Sequence, residues 1–181
     1  NFSIKKINKA GAVFSLDKLK WLNSQYIKAM DTKKLTELLI PFLQEKYKNT
    51  QLPDGKQIEN VVSLFKGRMA TLVDFLDWTD FIFSEQVNVE EEAKNTYLAT
   101  DRSKEFSSLA EALGKIEDFN MKSSEEAFRA VVEQLGIKAS DLVHPVRVAL
   151  TGKAVGPGLF ETMAVLGKEK TVQRLKALVN H

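Results

Sequence analysis

Arg147 is the side chain best placed for recognition chemistry, set in the run His144-Pro145-Val146-Arg147-Val148-Ala149-Leu150-Thr151-Gly152. Two further runs follow, Gly156-Pro157-Gly158-Leu159-Phe160-Glu161 and Leu166-Gly167-Lys168-Glu169. The spacing predicts a helix ending in a buried Leu, a Thr-Gly stop, a stiff loop and a second helix. Gly152 can adopt the left-handed conformation that closes a helix. Pro157 fixes its own φ and biases Gly156 away from the helical region, which makes the loop rigid. A guanidinium held by such a corner suits a planar hydrogen-bonding surface, a base edge or a phosphate. On these residues alone, a packing corner carrying a surface Arg remains the leading alternative.

Other chemistries find little support. Gly152-Lys153 shares letters with a phosphate-binding loop, but Arg147 stands where its first Gly belongs and Ala154 where a Ser or Thr would hold magnesium. With no cysteine, disulfides, thiolate catalysis and Cys-ligated zinc are excluded. The two histidines, His144 and His181, are far apart in sequence. His144, beside Pro145, reads as a hydrogen-bonded structural residue rather than a general base. Glu90-Glu91-Glu92 reads as a solvated helix start rather than a metal site. We expect no catalysis and no metal in this chain.

Net charge is +2, unevenly spread. Residues 1–84 carry 13 Lys/Arg against 9 Asp/Glu, residues 85–137 carry 6 against 12, and residues 138–181 carry 7 against 3. Two basic ends flanking an acidic middle could grip a polyanion; solvated helix faces that happen to differ explain the same numbers. No apolar run approaches the roughly 20 residues of a membrane span. The chain opens at Asn1-Phe2-Ser3 without an initiator Met, which reads as a fragment of something longer.

Helical periodicity runs nearly throughout. Ser15 caps a helix with the stripe Leu19, Leu22, Tyr26 and Met30, and Trp21 reads as core. Asp31 and Thr32 open a second helix with Leu35, Leu38, Leu39 and Phe42 on one side, kinked or restarted at Pro41. Leu52-Pro53-Asp54-Gly55 is a turn. One long amphipathic helix then carries Ile58, Val61, Val62, Phe65, Met69, Leu72, Val73 and Leu76, ending near Phe75, Trp78, Phe81 and Phe83. Arg68 lies on it at the edge of the apolar stripe, either snorkelling to solvent or meeting a partner. Residues 84–99 are the candidate boundary between subdomains 1–84 and 85–181. Beyond them, Phe106 to Ile116 form a helix, and Ser123 with Glu126 makes a capping-box pattern before a helix stopped by Gly136. A last helix carries Val172, Leu175 and Leu178, with Lys170 and Lys176 as mobile charges on its exposed face. The fold expected is all-α, with two helical subdomains.

The corner motif resembles the C-terminal signature of bacterial-type glutamyl-tRNA synthetases, class I aminoacyl-tRNA synthetases. A second stretch, Gly11-Ala12-Val13-Phe14-Ser15-Leu16-Asp17-Lys18-Leu19-Lys20-Trp21-Leu22-Asn23, is similar to the segment that follows their catalytic core. The resemblance covers nearly the whole chain. It implies an anticodon-binding helix cage, in contrast to the β-barrels of eukaryotic-type relatives. It also implies a cytoplasmic enzyme, monomeric, that joins glutamate to tRNA(Glu) using ATP and magnesium. tRNA(Gln) would join as a second substrate if the enzyme is non-discriminating. The ATP-binding His-x-Gly-His and Lys-Met-Ser-Lys-Ser motifs of that class do not occur here, and Met121-Lys122-Ser123-Ser124 reads as a helix N-terminus. The resemblance therefore places catalysis in a separate N-terminal domain, with no cofactor bound by this part. It further implies that Arg68, within Arg68-x-x-Thr71-Leu72-x-x-Phe75, reads the last anticodon base. Arg147, Lys153, Gly156, Pro157 and Leu159 would contact the anticodon and Lys18 the tRNA backbone. A helical protein-interaction module with no RNA role is the rival reading.

Overall fold

A computed structural model describes residues 14–48, 50–84 and 87–179. Gly11-Ala12-Val13 of the first motif, the opening Asn1-Phe2-Ser3, His181, and residues 85–86 of the expected boundary lie outside it. The described residues form eleven helices and no strand, the all-α architecture expected.

Helix α1 (Leu16–Ala29) starts at Ser15, whose hydroxyl accepts from the Lys18 N–H at 3.2 Å. Of its expected stripe, Met30 packs against the core and the other three residues do not. Leu19, Leu22 and Tyr26 are exposed, Trp21 is 61% exposed, and Ile27 is the buried residue of the helix. The helix is tied on at its middle, where Asn23 Nδ2 donates to the Ala70 carbonyl at 2.6 Å, and at its end, where Lys66 Nζ donates to the Met30 carbonyl. Periodicity identified an apolar face and left its partner undetermined.

Of the kink or restart expected at Pro41, helix α2 (Thr32–Lys46) shows no restart and runs through it. Pro41 and Glu37 are both exposed, so the Glu37 carbonyl that loses its helical partner can bond water instead. The buried face is Leu35, Thr36, Leu39 and Leu43, while Leu38 and Phe42 stay exposed.

The long helix expected over residues 58–76 is two helices. α3 (Gly55–Phe65), capped by Asp54, ends at Phe65, and α4 (Leu72–Trp78) restarts after a turn. The restart is built by a capping box between Thr71 and Asp74. Asp74 Oδ2 accepts from the N–H groups of Ala70 and Thr71, both at 2.8 Å. Partial burial works against ionisation of this carboxyl, yet the hydrogen bonds win and its pKa is lowered. Met69, fully buried in the turn, keeps the apolar spacing running across the break. Arg68 therefore sits in a turn and not on a helix.

α4 is followed by α5 (Asp80–Phe83) and α6 (Glu91–Tyr97). Then come α7 (Ser103–Gly114), α8 (Met121–Leu135), α9 (Ala139–Thr151), α10 (Leu159–Leu166) and α11 (Lys168–Ala177). Asn120, not Ser123, caps α8, with Ser123 returning the bond to the Asn120 N–H. His144 is exposed and stacks on Tyr97, centroids 5.1 Å apart, in place of the hydrogen-bonded role expected.

One core cluster spans the expected boundary at residue 84, running from Ile27 through Phe65, Phe75 and Phe128 to Leu175. Phe75 joins it edge-on to Phe65 at 6.3 Å and tilted to Phe83 at 6.2 Å. α11 ties the two sides together. Arg174 donates to the carbonyls of Leu150 at 2.6 Å and Phe81 at 2.7 Å. Lys170 Nζ, expected to be a mobile charge, donates to the Ile82 carbonyl at 3.0 Å. No described helix is long and apolar enough to cross a membrane.

Candidate nucleic-acid interface

The corner after α9 is fixed at each step by a backbone demand. Thr151 Oγ1 donates to the Arg147 carbonyl at 2.9 Å and accepts from the Lys153 N–H at 3.1 Å. Gly152 closes the helix at φ 76°, and a Cβ there would lie 2.1 Å from the Asn88 carbonyl oxygen. Glycine is required both for the left-handed turn and for the crossing chain. That crossing chain is held by the Glu90 N–H, which donates to the Gly152 carbonyl at 2.9 Å. At the other end of the loop, the Gly158 N–H donates to Glu161 Oε2 at 3.0 Å. Pro157, expected to stiffen the loop, is buried.

Two arginines hold the middle of this loop. Arg68 Nη1 donates to the Gly156 carbonyl at 2.8 Å, and Arg147 Nη1 donates to the Pro157 carbonyl. Among the described residues no carboxylate forms an ion pair with either guanidinium. Burial, and then the positive charge of Arg68, lower the Arg147 pKa from its ordinary value. Two cations whose hydrogen-bond acceptors are neutral carbonyls leave the corner electropositive.

In front of them lies a cavity of about 400 Å³. Phe65, Trp78 and Phe81 form its aromatic walls, Val155-Gly156-Pro157 its rim, and Arg68, Lys153 and Glu90 its charged groups. Lys153 Nζ reaches across to the Asp77 carbonyl at 3.2 Å and lies 3.9 Å from Glu90 Oε1. The walls are braced from outside: Tyr47 donates to Asp80 at 2.7 Å, and Lys46 pairs with Asp80 at 3.2 Å. Arg174 bonds the backbones of Phe81 and Leu150 behind the cavity, and desolvation there takes its pKa down to about 10.

Of the residues expected to bind, Arg68, Lys153, Gly156 and Pro157 line this one cavity, with Arg147 bonded to its rim. Leu159, 4% exposed, packs into the core and does not line the cavity. Lys18 is exposed on α1 and does not line the cavity. Sequence reasoning missed Glu90, read as a solvated helix start, and Arg174. Neither carries a periodic signal, since their positions follow from chain crossings between distant segments. Trp78 was grouped with the aromatic cluster but not recognised as a wall.

The arrangement can take a flat, partly apolar, hydrogen-bonding group and hold an adjoining anion. Comparisons with known proteins place the chain in a family. The family described as the anticodon binding domain matches residues 34–179. The chain is 40% identical over 179 residues to "Glutamate--tRNA ligase 1" of Caldanaerobacter subterraneus, covering 98% of this chain and 37% of that protein. It is 36% identical over 180 residues to "Glutamate--tRNA ligase 2" of Thermoanaerobacter pseudethanolicus, covering 99% and 38%. A crystal structure of a glutamate tRNA ligase from Elizabethkingia meningosepticum, in complex with its amino acid, superposes with a TM-score of 0.86 at 25% identity, covering 99% of this chain and 35% of that one. The chain thus spans somewhat over a third of the length of the proteins it matches.

Proposed function

The chain belongs to the anticodon binding domain family, and from that membership we propose that it recognises the anticodon of tRNA(Glu) as the RNA-reading part of a glutamate–tRNA ligase. The observation that carries this reading is the pair Arg68 and Arg147, bonded to adjacent carbonyls at the rim of an aromatic-walled cavity. Single-stranded RNA is recognised by unstacking its bases against aromatic and guanidinium planes and bonding their edges. Trp78, 37% exposed beside the 400 Å³ slot, supplies a ring for the first need, with the buried Phe65 and Phe81 packed behind the slot. Arg68 is exposed and spends one of its donors on Gly156, so the rest of its fork is open to the acceptors of the last anticodon base. Arg147, the Gly156 backbone and Pro157 hold the adjoining bases. Lys153 and Lys18 contribute phosphate contacts, which position without specifying.

Joining glutamate to tRNA would draw on ATP and magnesium, and the residues present do not fit either. The two ATP-binding motifs are missing from the 181 residues, and among the described residues no group of three or more His, Cys, Asp or Glu side chains could hold a metal ion. We place that chemistry in a separate catalytic domain. The parent enzyme is proposed to be cytoplasmic and monomeric, charging tRNA(Gln) as well if it is non-discriminating.

Equilibrium binding of the chain to a tRNA(Glu) transcript and to the same transcript with a scrambled anticodon, at two salt concentrations, tests the reading. Preference for the native anticodon with a salt-dependent affinity is expected. Equal binding to both transcripts, or none, would return the chain to a protein-interaction role.

A further inference from the structure

Glu90 is the acidic side chain that lines the aromatic cavity, and the needs of its own helix do not explain its orientation. It occupies the N-cap of α6, where short acceptors such as Ser, Thr, Asp and Asn normally bond the first helical N–H groups. Its carboxylate makes no such bond. Its backbone N–H is fixed on the Gly152 carbonyl, which pins the residue beside the end of α9. The nearest cation, Lys153 Nζ, is 3.9 Å away and already donates to the Asp77 carbonyl. With the Glu90 side chain 55% exposed, so long an ion pair adds little to stability. What remains is a carboxylate with spare acceptor capacity in the same cavity as the Arg68 guanidinium.

We propose that Glu90 is a specificity-determining residue: it accepts a hydrogen bond from the exocyclic amino group of an anticodon base while Arg68 donates to the acceptors on the same edge, so that the cavity takes cytosine and rejects uracil. This rests on the reading that the cavity holds an anticodon base. The pairing edge of cytosine presents an amino donor beside two acceptors, N3 and O2. An ionised carboxylate only accepts and a guanidinium only donates, so the two together are complementary to that edge. Uracil places a carbonyl oxygen where the amino group was, which turns lone pairs toward Glu90, and an N3–H where Arg68 needs an acceptor. Guanine has the reversed order of donor and acceptor, and adenine keeps the amino group but lacks the second acceptor. The site is therefore read by charge as well as by shape, and the selectivity belongs to the pair and not to the arginine alone.

The test uses the 181-residue chain and anticodon stem–loop RNAs that differ only at the last anticodon base. The wild type is expected to bind the C loop about tenfold more tightly than the U loop, the size of effect one good base-edge contact supplies. Glu90→Gln, whose amide can turn either its oxygen or its nitrogen to the base, should bring the two loops to within about a factor of two. Glu90→Ala should weaken the C loop and leave the U loop unchanged or stronger. Glu92→Gln is the control, because it removes the same charge from an exposed position on α6 that does not line the cavity; it should strengthen both loops equally and keep their ratio. If the wild type prefers C and both Glu90 variants keep that ratio, the assignment of Glu90 is overturned while anticodon binding stands. If the wild type binds neither loop better than a scrambled one, anticodon recognition itself falls, and this inference with it. Circular dichroism of each variant guards against an effect through folding.

Discussion

Arg68 and Arg147 come from segments 79 positions apart and end on the carbonyls of two consecutive residues, Gly156 and Pro157. The turn between α3 and α4 is thereby bonded to the loop between α9 and α10. Two like charges this close repel, and that repulsion is one of the causes that lower the Arg147 pKa. Carbonyl oxygens offset part of the cost, and a bound polyanion would offset more. A bond between distant segments and a positive charge without an ion-pair partner among the described residues are therefore properties of the same contact.

Arg68→Gln is expected to loosen discrimination at the last anticodon base by about 1–3 kcal/mol without unfolding the chain, because Arg68 is exposed and outside the core. A neutral amide offers one donor and one acceptor where the guanidinium offers parallel donors. Binding of stem–loops carrying C or G at that base decides the matter. An unchanged preference for C would leave Arg68 a loop brace only.

Gly152→Ala should destabilise the fold by at least about 2 kcal/mol, since a left-handed φ and a collision with the Asn88 carbonyl act together. For a chain of this length that is a fall in Tm of about 4–8 °C. Thermal unfolding of the variant measures it, and Gly136→Ala is the comparison. Gly136 has a similar φ of 65° but nothing within 4 Å of the added carbon, so its loss should be the smaller. Equal losses would mean that the contact with the crossing chain relaxes at no cost.

Asp74→Asn should cost about 1 kcal/mol at neutral pH, the usual value of a lost helix cap, and less as pH falls. The folded pKa of Asp74 is lowered from 3.8. Its contribution is therefore fully present above that ordinary value and disappears as pH drops below 3.8 through the lower folded value. Urea unfolding of wild type and variant at neutral pH and near pH 3 should show the gap closing. A gap that is constant with pH would mean that geometry and not charge holds the turn.

Much of the corner was legible because its determinants are local. Gly152 and Gly136 declare backbone geometry by residue type alone, and both take the positive φ that glycine permits. The break between α3 and α4 was hidden because Met69 continues the helical spacing through a turn, while the signal for the restart, Thr71 followed by Asp74, is a weaker pattern than the apolar stripe. The burial of α1 failed for a different reason: amphipathicity fixes which side is apolar, and no pattern within one segment states what lies against it. Lys170 and Arg174 show the same limit for charge. Both donate to carbonyls about 90 positions away, and neither bond could be inferred from composition.

Arg147→Ala should weaken binding of tRNA(Glu) more than Lys176→Ala on α11, and in a way that depends on the anticodon. Arg147 is half buried, held between the helix that carries Pro145 and the Pro157 carbonyl, so it has little freedom left to lose on binding. Its removal also frees the Pro157 carbonyl and leaves Arg68 alone to fix the rim. Lys176 is exposed, and an ammonium there supports at most a screened phosphate contact. Its loss should lower the salt slope of binding by about one unit and affect every tRNA alike. Losing Arg147 should instead cost about 1–3 kcal/mol with the native anticodon and much less with a scrambled one. Arg147→Lys separates the two parts of the role: it keeps the charge but loses the planar fork, so it should restore nonspecific affinity and not discrimination. Titrations of the three variants against both tRNAs at two salt concentrations, with circular dichroism confirming the fold, make the comparison. An Arg147→Ala loss of equal size on both tRNAs would show that this arginine braces the Gly-Pro-Gly loop without taking part in reading the anticodon.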